Sequence, residues 1–424
     1  MGNAASIKRQ KSKVDLFSIN KRTAQRSLQL GIDVPLLLIV FTLLIFGLLM
    51  VYSASWDYSL MVLQREPTYM FFRQVGWMLI GVVVAGIFAF LNYHRWQKLS
   101  VPLMVFAVIA LFSVLMVNEV INNAARTLWG GSVQPSEMAK LATVIYLAVW
   151  MFSKRDQLSD VSFGLIPLSA ILGVVGGLIF IQPDLSAAIT IFILGGILFF
   201  LGGGDLRQIA MMLILAMVVG WLVIRVHPTG SIRIAEYLRG LDDLTLAPYH
   251  LSRSIEALVK GGWFGVGIGL ADTKLTGLPV PPTDSIFAVV AEETGIIGAS
   301  SLVILYSLLM WRGLVIANRA PDWLGKLLAA GLSMWIAMEA IINMAVIVGL
   351  MPFAGNALPF ISAGGSNLLV SMAAIGILMN ISRLASQTQE QEKKSFDTVI
   401  DLRRRDGRRR VSRTGGASAA YLKR

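Results

Sequence analysis

Long apolar runs constrain this chain more than any other feature. Ten of them succeed one another between short polar turns: Val34–Ser53, Gln74–Leu91, Leu99–Val117, Ser136–Phe152, Phe163–Ile181, Leu185–Leu201, Gln208–Arg225, Asp284–Trp311, Gly325–Gly349 and Gly365–Ile381. A run of roughly 20 apolar residues crosses a bilayer as a helix, because a helix satisfies its own backbone in hydrocarbon. Only 15% of the residues are charged, where a soluble domain has about 25%. The expected fold is therefore all-α, a polytopic membrane protein of ten helices. One large connection, residues 226–283, separates helices seven and eight. Residues 1–31 read as a basic N-terminal tail, 32–383 as the membrane domain and 384–424 as a basic, disordered tail.

Charge sets the expected orientation. A net charge of +12 could suggest nucleic acid, but its distribution argues against that partner. All but ten of the 37 Lys and Arg fall on one side of the membrane or in the two tails. The ten are Arg65, Arg73, Arg126, Lys140, Arg225, Arg233, Arg239, Arg253, Lys260 and Lys274. Basic segments stay in the cytoplasm, so both termini are expected there and the 226–283 connection outside. The basic tails then face anionic membrane lipids. The first apolar run is long enough to remain as an anchor, so no cleavable signal peptide is expected. Met1-Gly2-Asn3-Ala4-Ala5-Ser6 fits a myristoylation pattern and is read as a chance match. The absence of cysteine excludes disulfides and thiolate chemistry, and three scattered histidines argue against a histidine metal cluster.

Polar residues gather near the outer ends of the spans. Asp284 follows Pro281-Pro282-Thr283 where the large connection meets the eighth run. A carboxylate beside hydrocarbon is a functional candidate by default. Asp284 or Thr283 would also serve as the cap of that helix, whose N-terminus favours an ionised carboxylate. Such a group suits a general base. Glu137 and Lys140, three apart on the fourth run, share a face and can pair, with Ser136 as the N-cap. Asp184 can cap the sixth run. One of Glu292 and Glu293 is expected to face the interior and pair with a cation, and Glu339 and Asn343 to line the same cavity. Gly261-Gly262-Trp263-Phe264-Gly265-Val266-Gly267-Ile268-Gly269 superficially matches a phosphate loop, but no strand precedes it. Close backbone packing or a re-entrant bend is the better reading. Leu251, Ile255, Leu258 and Val259 recur at helical spacing, as in a helix lying at the interface or tucked into the bundle. Ser362 and Ser366 have no neighbouring histidine, so nothing marks a hydrolase nucleophile.

Several motifs in order resemble the SEDS family of shape, elongation, division and sporulation proteins. They are Val51-Tyr52-Ser53-Ala54-Ser55, Gln134-Pro135-Ser136-Glu137 with Lys140, Gln182-Pro183-Asp184-Leu185 and the glycine-rich run. Thr283-Asp284 with Phe287-Ala288 and Glu292-Glu293, then Leu358-Pro359-Phe360-Ile361-Ser362, complete the set. The resemblance implies a peptidoglycan glycosyltransferase of the bacterial cell membrane. It would polymerise lipid II with inversion and release undecaprenyl pyrophosphate. Asp284 would take the proton of the attacking hydroxyl. Arg126 and Lys140 would steady the pyrophosphate, with Gln134, Glu137, Asp184, Glu293 and Ser362 completing the substrate-binding set. A divalent cation, Mg or Mn, could share the pyrophosphate's charge, although no metal ligand set is evident. The implied partners are a class B penicillin-binding protein and other divisome proteins, since the Trp-Phe-Gly-Val-Gly wording is closer to the division branch. A lipid II flippase, an elongation-type polymerase and an idle scaffold are the competing readings. Four positions depart from the family: Ser285 replaces Phe, Ser132 a basic residue, Ala363 Tyr and Glu339 Gln.

Overall fold

A computed structural model describes residues 31–117, 134–182, 184–226, 246–352 and 355–406, with 232, 235–240 and 243 between them. Among these residues the chain is all helix, turn and loop, without a strand. The helices are α1 (Val34–Met61), α2 (Tyr69–Phe90), α3 (Trp96–Val117), α4 (Pro135–Ser153), α5 (Ile166–Ile181), α6 (Leu185–Gly202) and α7 (Leu206–Val226). After these come α8 (Tyr249–Gly261), α9 (Ile286–Arg319), α10 (Trp323–Ile347) and α11 (Gly365–Asp406). Among the described residues eight segments are long and apolar enough to cross a membrane, which makes the chain a multi-pass membrane protein. Neither α4 nor α7, over its 206–218 stretch, is among the eight.

Burial sorts these helices into a centre and a rim. The apolar windows of α10 and α11 are 78% buried, whereas that of α2 is 11% buried. α10 packs against α4, α6, α9 and α11, while α2 lies along α11. The outer faces of α1, α2, α3 and α9 expose Phe41, Val83, Phe106 and Ile304, among many apolar side chains. Such a surface is unfavourable in water and natural in lipid, where every backbone group is already bonded within its helix. At one end of the bundle Arg312 clamps Asp33 through bonds of 2.8 to 3.1 Å, joining α9 to the start of α1. Tyr93 and His94 both hold Asp322 at 2.8 Å at the start of α10.

Several boundaries differ from the hydropathy reading; α2 starts five residues early, at Tyr69, and α9 runs on eight residues, to Arg319. α1 continues past Ser53 to Met61, because Ser53, Ser55 and Ser59 are buried among neighbouring helices. α11 continues to Asp406, so its polar second half is helical where a disordered tail was expected from 384. α4 starts one residue earlier than expected, with Gln134 in the capping position and Pro135 in the first turn. Ser136 is therefore inside the helix and not its cap.

Candidate active site

α9 begins at Ile286 with Ser285 in the capping position, and no side chain bonds its first amides. Neither Asp284 nor Thr283 is the cap, contrary to the sequence expectation. Ser285 turns its hydroxyl back to the Pro279 carbonyl at 2.5 Å. That hydroxyl oxygen accepts from His250 Nε2 at 2.8 Å, which fixes the Nε2–H tautomer. His250 stands on α8, the amphipathic helix that the 251–260 pattern indicated. Burial pushes its imidazole down to about 4, so it is neutral at physiological pH.

The peptide of Asp284 is held from three further elements. Asn343 of α10 donates to the Asp284 carbonyl at 3.0 Å and to the Asn356 carbonyl at 2.5 Å. Ser362 donates to the Thr283 carbonyl and accepts from the Leu358 amide, both at 2.7 Å. Ala363 donates its amide to the Pro282 carbonyl at 2.8 Å. Gln74 of α2 bonds the Ser362 carbonyl at 3.2 Å. Val280 and Phe360, in the two loops so joined, adopt left-handed φ values of 43° and 67°. A left-handed β-branched or bulky residue persists only where its surroundings over-determine the backbone. Asp284 itself stays partly exposed.

A second cluster lies inside the bundle. Lys140 is fully buried and bonds Glu137 at 2.9 Å and Glu339 of α10. Asn367 of α11 donates to Glu137 at 3.0 Å and Trp335 to Glu339 at 2.8 Å. Two carboxylates thus share one ammonium away from water. Beside it, Asp184 caps α6 by accepting from the Ala187 amide at 3.3 Å, as expected. It also accepts from Gln134 at 3.0 Å and Ser136 at 3.2 Å, which ties α4 to α6. α10 links the clusters, since Glu339 and Asn343 lie one turn apart on it and Asn356 bonds the Glu339 carbonyl at 3.1 Å.

The third cluster pins the glycine-rich loop. α9 breaks at Gly295 (φ 68°, ψ −171°), which frees the carbonyls of Glu292 and Glu293. They accept from the Val266 amide at 3.0 Å and the Gly267 amide at 3.1 Å. Ile296 answers by donating to Gly262 at 2.9 Å. Glu293 pairs with Lys274 at 2.8 Å and accepts from Ser53 of α1 at 2.5 Å. Glu292 receives the Asp272 amide at 2.9 Å and the Thr273 hydroxyl. The expected interior acid–cation pair is present, and the glycines serve close backbone packing.

Of the substrate-binding set, Glu137 pairs with Lys140 in the buried ionic cluster, and Gln134, partly buried, bonds Asp184 beside it. Glu293 is separate in the third, and Ser362 holds the Asp284 loop with both capacities of its hydroxyl used. Arg126 lies outside the described residues. Sequence reasoning missed Asn367, Lys274 as the partner of Glu293, and the His250–Ser285 bond. Ser285 and Glu339, the departures from the family pattern, were the available signals for two of these contacts. Among the described residues no three His, Asp or Glu side chains are grouped to hold a metal ion.

The FtsW/RodA/SpoVE family profile, described as cell cycle protein, matches residues 34–387. The probable peptidoglycan glycosyltransferase FtsW of Trichlorobacter lovleyi is 38% identical over 82% of this chain and 93% of its own. Stage V sporulation protein E of Bacillus subtilis is 34% identical over 83% and 97%. A chain from a peptidoglycan synthase complex that coordinates polymerisation and crosslinking shares the fold, with TM-score 0.70 at 24% identity over 84% of this chain and 99% of that one. The rod shape determining protein RodA of Thermus thermophilus does too, with TM-score 0.61 at 24% identity over 84% and 98%. With a family match across nearly the whole described bundle and relatives at this level of identity, the chain belongs to the FtsW/RodA/SpoVE family, the SEDS proteins.

Proposed function

We propose that the chain is a peptidoglycan glycosyltransferase that polymerises lipid II for septal wall synthesis. The carrying observation is Asp284, partly exposed on a loop whose backbone is held by α10 and the 355–365 loop, with Gln74 of α2 bracing the latter and His250 of α8 bonding the Ser285 hydroxyl. A carboxylate on so constrained a peptide is positioned before substrate arrives, and positioning is where much of a general base's efficiency originates. In this reading Asp284 takes the proton of the acceptor's sugar hydroxyl while the hydroxyl oxygen attacks the anomeric carbon of the donor. The bond to undecaprenyl pyrophosphate breaks, and that group carries away the electron pair.

The buried Lys140 cluster acts indirectly. Its ammonium is engaged by two carboxylates, so it sets the position of α10 and, through Asn343, of Asp284. Direct contact with the pyrophosphate falls to Arg126. A divalent cation, magnesium or manganese, would arrive on the substrate's own pyrophosphate. We place α4 and α7 across the membrane with the eight apolar segments, giving ten spans, both termini in the cytoplasm and residues 226–283 outside. α4 supports this because its charges are neutralised internally. The fold shared with a chain of a synthase complex supports a crosslinking partner, a class B penicillin-binding protein.

The test is polymerisation of lipid II by protein purified into liposomes. Wild type should make glycan chains and Asp284→Asn none, with both variants inserted equally. Normal polymer from Asp284→Asn removes the base, and no polymer from wild type with its transpeptidase favours a flippase or scaffold.

A further inference from the structure

Arg65 and Arg73 are outward-side cations on the orientation proposed above, and the site at Asp284 does not use them. Four other cations of that set are neutralised: Lys140 by Glu137, Arg253 by Glu256, Lys260 by Asp272 and Lys274 by Glu293. Among the described residues neither Arg65 nor Arg73 has a carboxylate within ion-pair distance. Both guanidiniums instead approach one ring, that of Tyr69, at 5.7 and 6.0 Å from its centroid. With Glu66, Thr68 and Phe72 they line an open cavity of about 550 Å³.

Backbone hydrogen bonds brace the cavity. The Arg65 amide bonds the Ser59 carbonyl of α1 at 3.0 Å, and the Tyr69 amide bonds Glu66 at 2.9 Å. Gln74, next to Arg73, holds the Ser362 carbonyl, so the cavity sits at the Asp284 end of the bundle. Its apolar wall continues into the membrane. Phe72, Leu79 and Val83 are exposed and recur on one face of α2. The cavity thus presents two guanidiniums, neither within ion-pair distance of the single carboxylate, Glu66, that shares its lining, and an apolar stripe below them. That is the chemistry of an amphiphile with a phosphate head and a hydrocarbon chain.

We propose that Arg65, Arg73 and Tyr69 form a binding site for the phosphate of a membrane lipid, whose chain lies along Phe72, Leu79 and Val83. Two sources share this chemistry: a bulk anionic phospholipid and the polyprenyl carrier. The proposal rests on the orientation reading, which a separate measurement checks. The chain has no cysteine, so Gln64→Cys gives one site for a membrane-impermeant maleimide. Labelling on intact spheroplasts supports the outward position; labelling only after lysis overturns the orientation while the lipid titration still decides the site.

The titration is native mass spectrometry of the purified full chain with phosphatidylglycerol, diacylglycerol, undecaprenyl pyrophosphate and undecaprenol. Phosphate-bearing lipids should bind, and their unphosphorylated analogues at least tenfold more weakly. Arg65→Gln and Arg73→Gln should each weaken binding roughly tenfold, as loss of one charge-assisted contact does, and the double variant should bind as poorly as if the phosphate were missing. Arg65→Lys should recover part of the affinity at an unchanged melting temperature. Tighter binding of undecaprenyl pyrophosphate than of phosphatidylglycerol assigns the site to the carrier, and equal binding assigns it to bulk lipid. Equal binding of phosphatidylglycerol and diacylglycerol, or an unaltered double variant, overturns the proposal.

Discussion

Lys140→Met isolates the buried ionic cluster. Methionine keeps much of the apolar stem and fills most of its space, so lost charge dominates the effect. Glu137 and Glu339, at 4% and 0% exposure, would then be left without their cation. Breaking a buried ion pair from one side costs about 3–5 kcal/mol, because the remaining charge stays buried and uncompensated. Here two carboxylates are stranded, so the upper end applies. Glu339→Gln has the opposite logic. It removes the surplus negative charge, leaves Lys140 with Glu137 at 2.9 Å, and keeps an oxygen for Trp335 Nε1. Its expected effect is within about 1 kcal/mol of zero, because the pair that remains is neutral overall. Adding Glu339→Gln to Lys140→Met should recover roughly 1–3 kcal/mol, the coupling of residues in one network. Unfolding midpoints of the purified variants in one detergent measure all four corners of the cycle. Should Glu339→Gln prove as damaging as Lys140→Met, the two acids do not share one cation and the reasoning fails.

Three further outcomes are expected. Gly265→Ala places a Cβ onto the Glu293 carbonyl at a residue with φ of 80°; left-handed strain alone costs about 1–2 kcal/mol, so an unchanged melting temperature would contradict the interlock at Gly295. Asp184→Ala removes the α6 cap and the acceptor of Gln134 and Ser136; it should destabilise by about 1–2 kcal/mol, with Asp184→Asn milder in the same thermal assay. His250 has a folded pKa of about 4, below its unfolded value near 6.5; its stabilisation is complete above about pH 6.5 and lost as pH falls through 4. The stability difference between wild type and His250→Gln should therefore vary with pH only across that window, and a difference that is flat there refutes neutral burial of the imidazole.

Much of the architecture was legible because hydropathy is local. Transfer to hydrocarbon is a property of each side chain, so each apolar run located a helix, although several helices extend beyond the apolar run itself. The fit failed where polar residues are buried by neighbours, as at Ser53, Ser55 and Ser59 of α1. Capping of α6 by Asp184 and the Glu137–Lys140 pair were also readable, since both act within one turn of helix. The candidate site was partly readable: Asp284 stood out as an acid beside hydrocarbon, and the order of the motifs indicated the family.

The amino-acid order alone determined that the chain is helical and membrane-embedded, and which acid stands at the start of the α9 segment. It did not determine partners. Ser53 meets Glu293 across 240 residues, Lys140 meets Glu339 across 199, and Ser362 meets the Thr283 carbonyl across 79. Those pairings depend on which helix faces which, a choice made by packing many surfaces at once. The physical reason is that a buried polar group must find a partner in three dimensions, while hydropathy records only that it has left water.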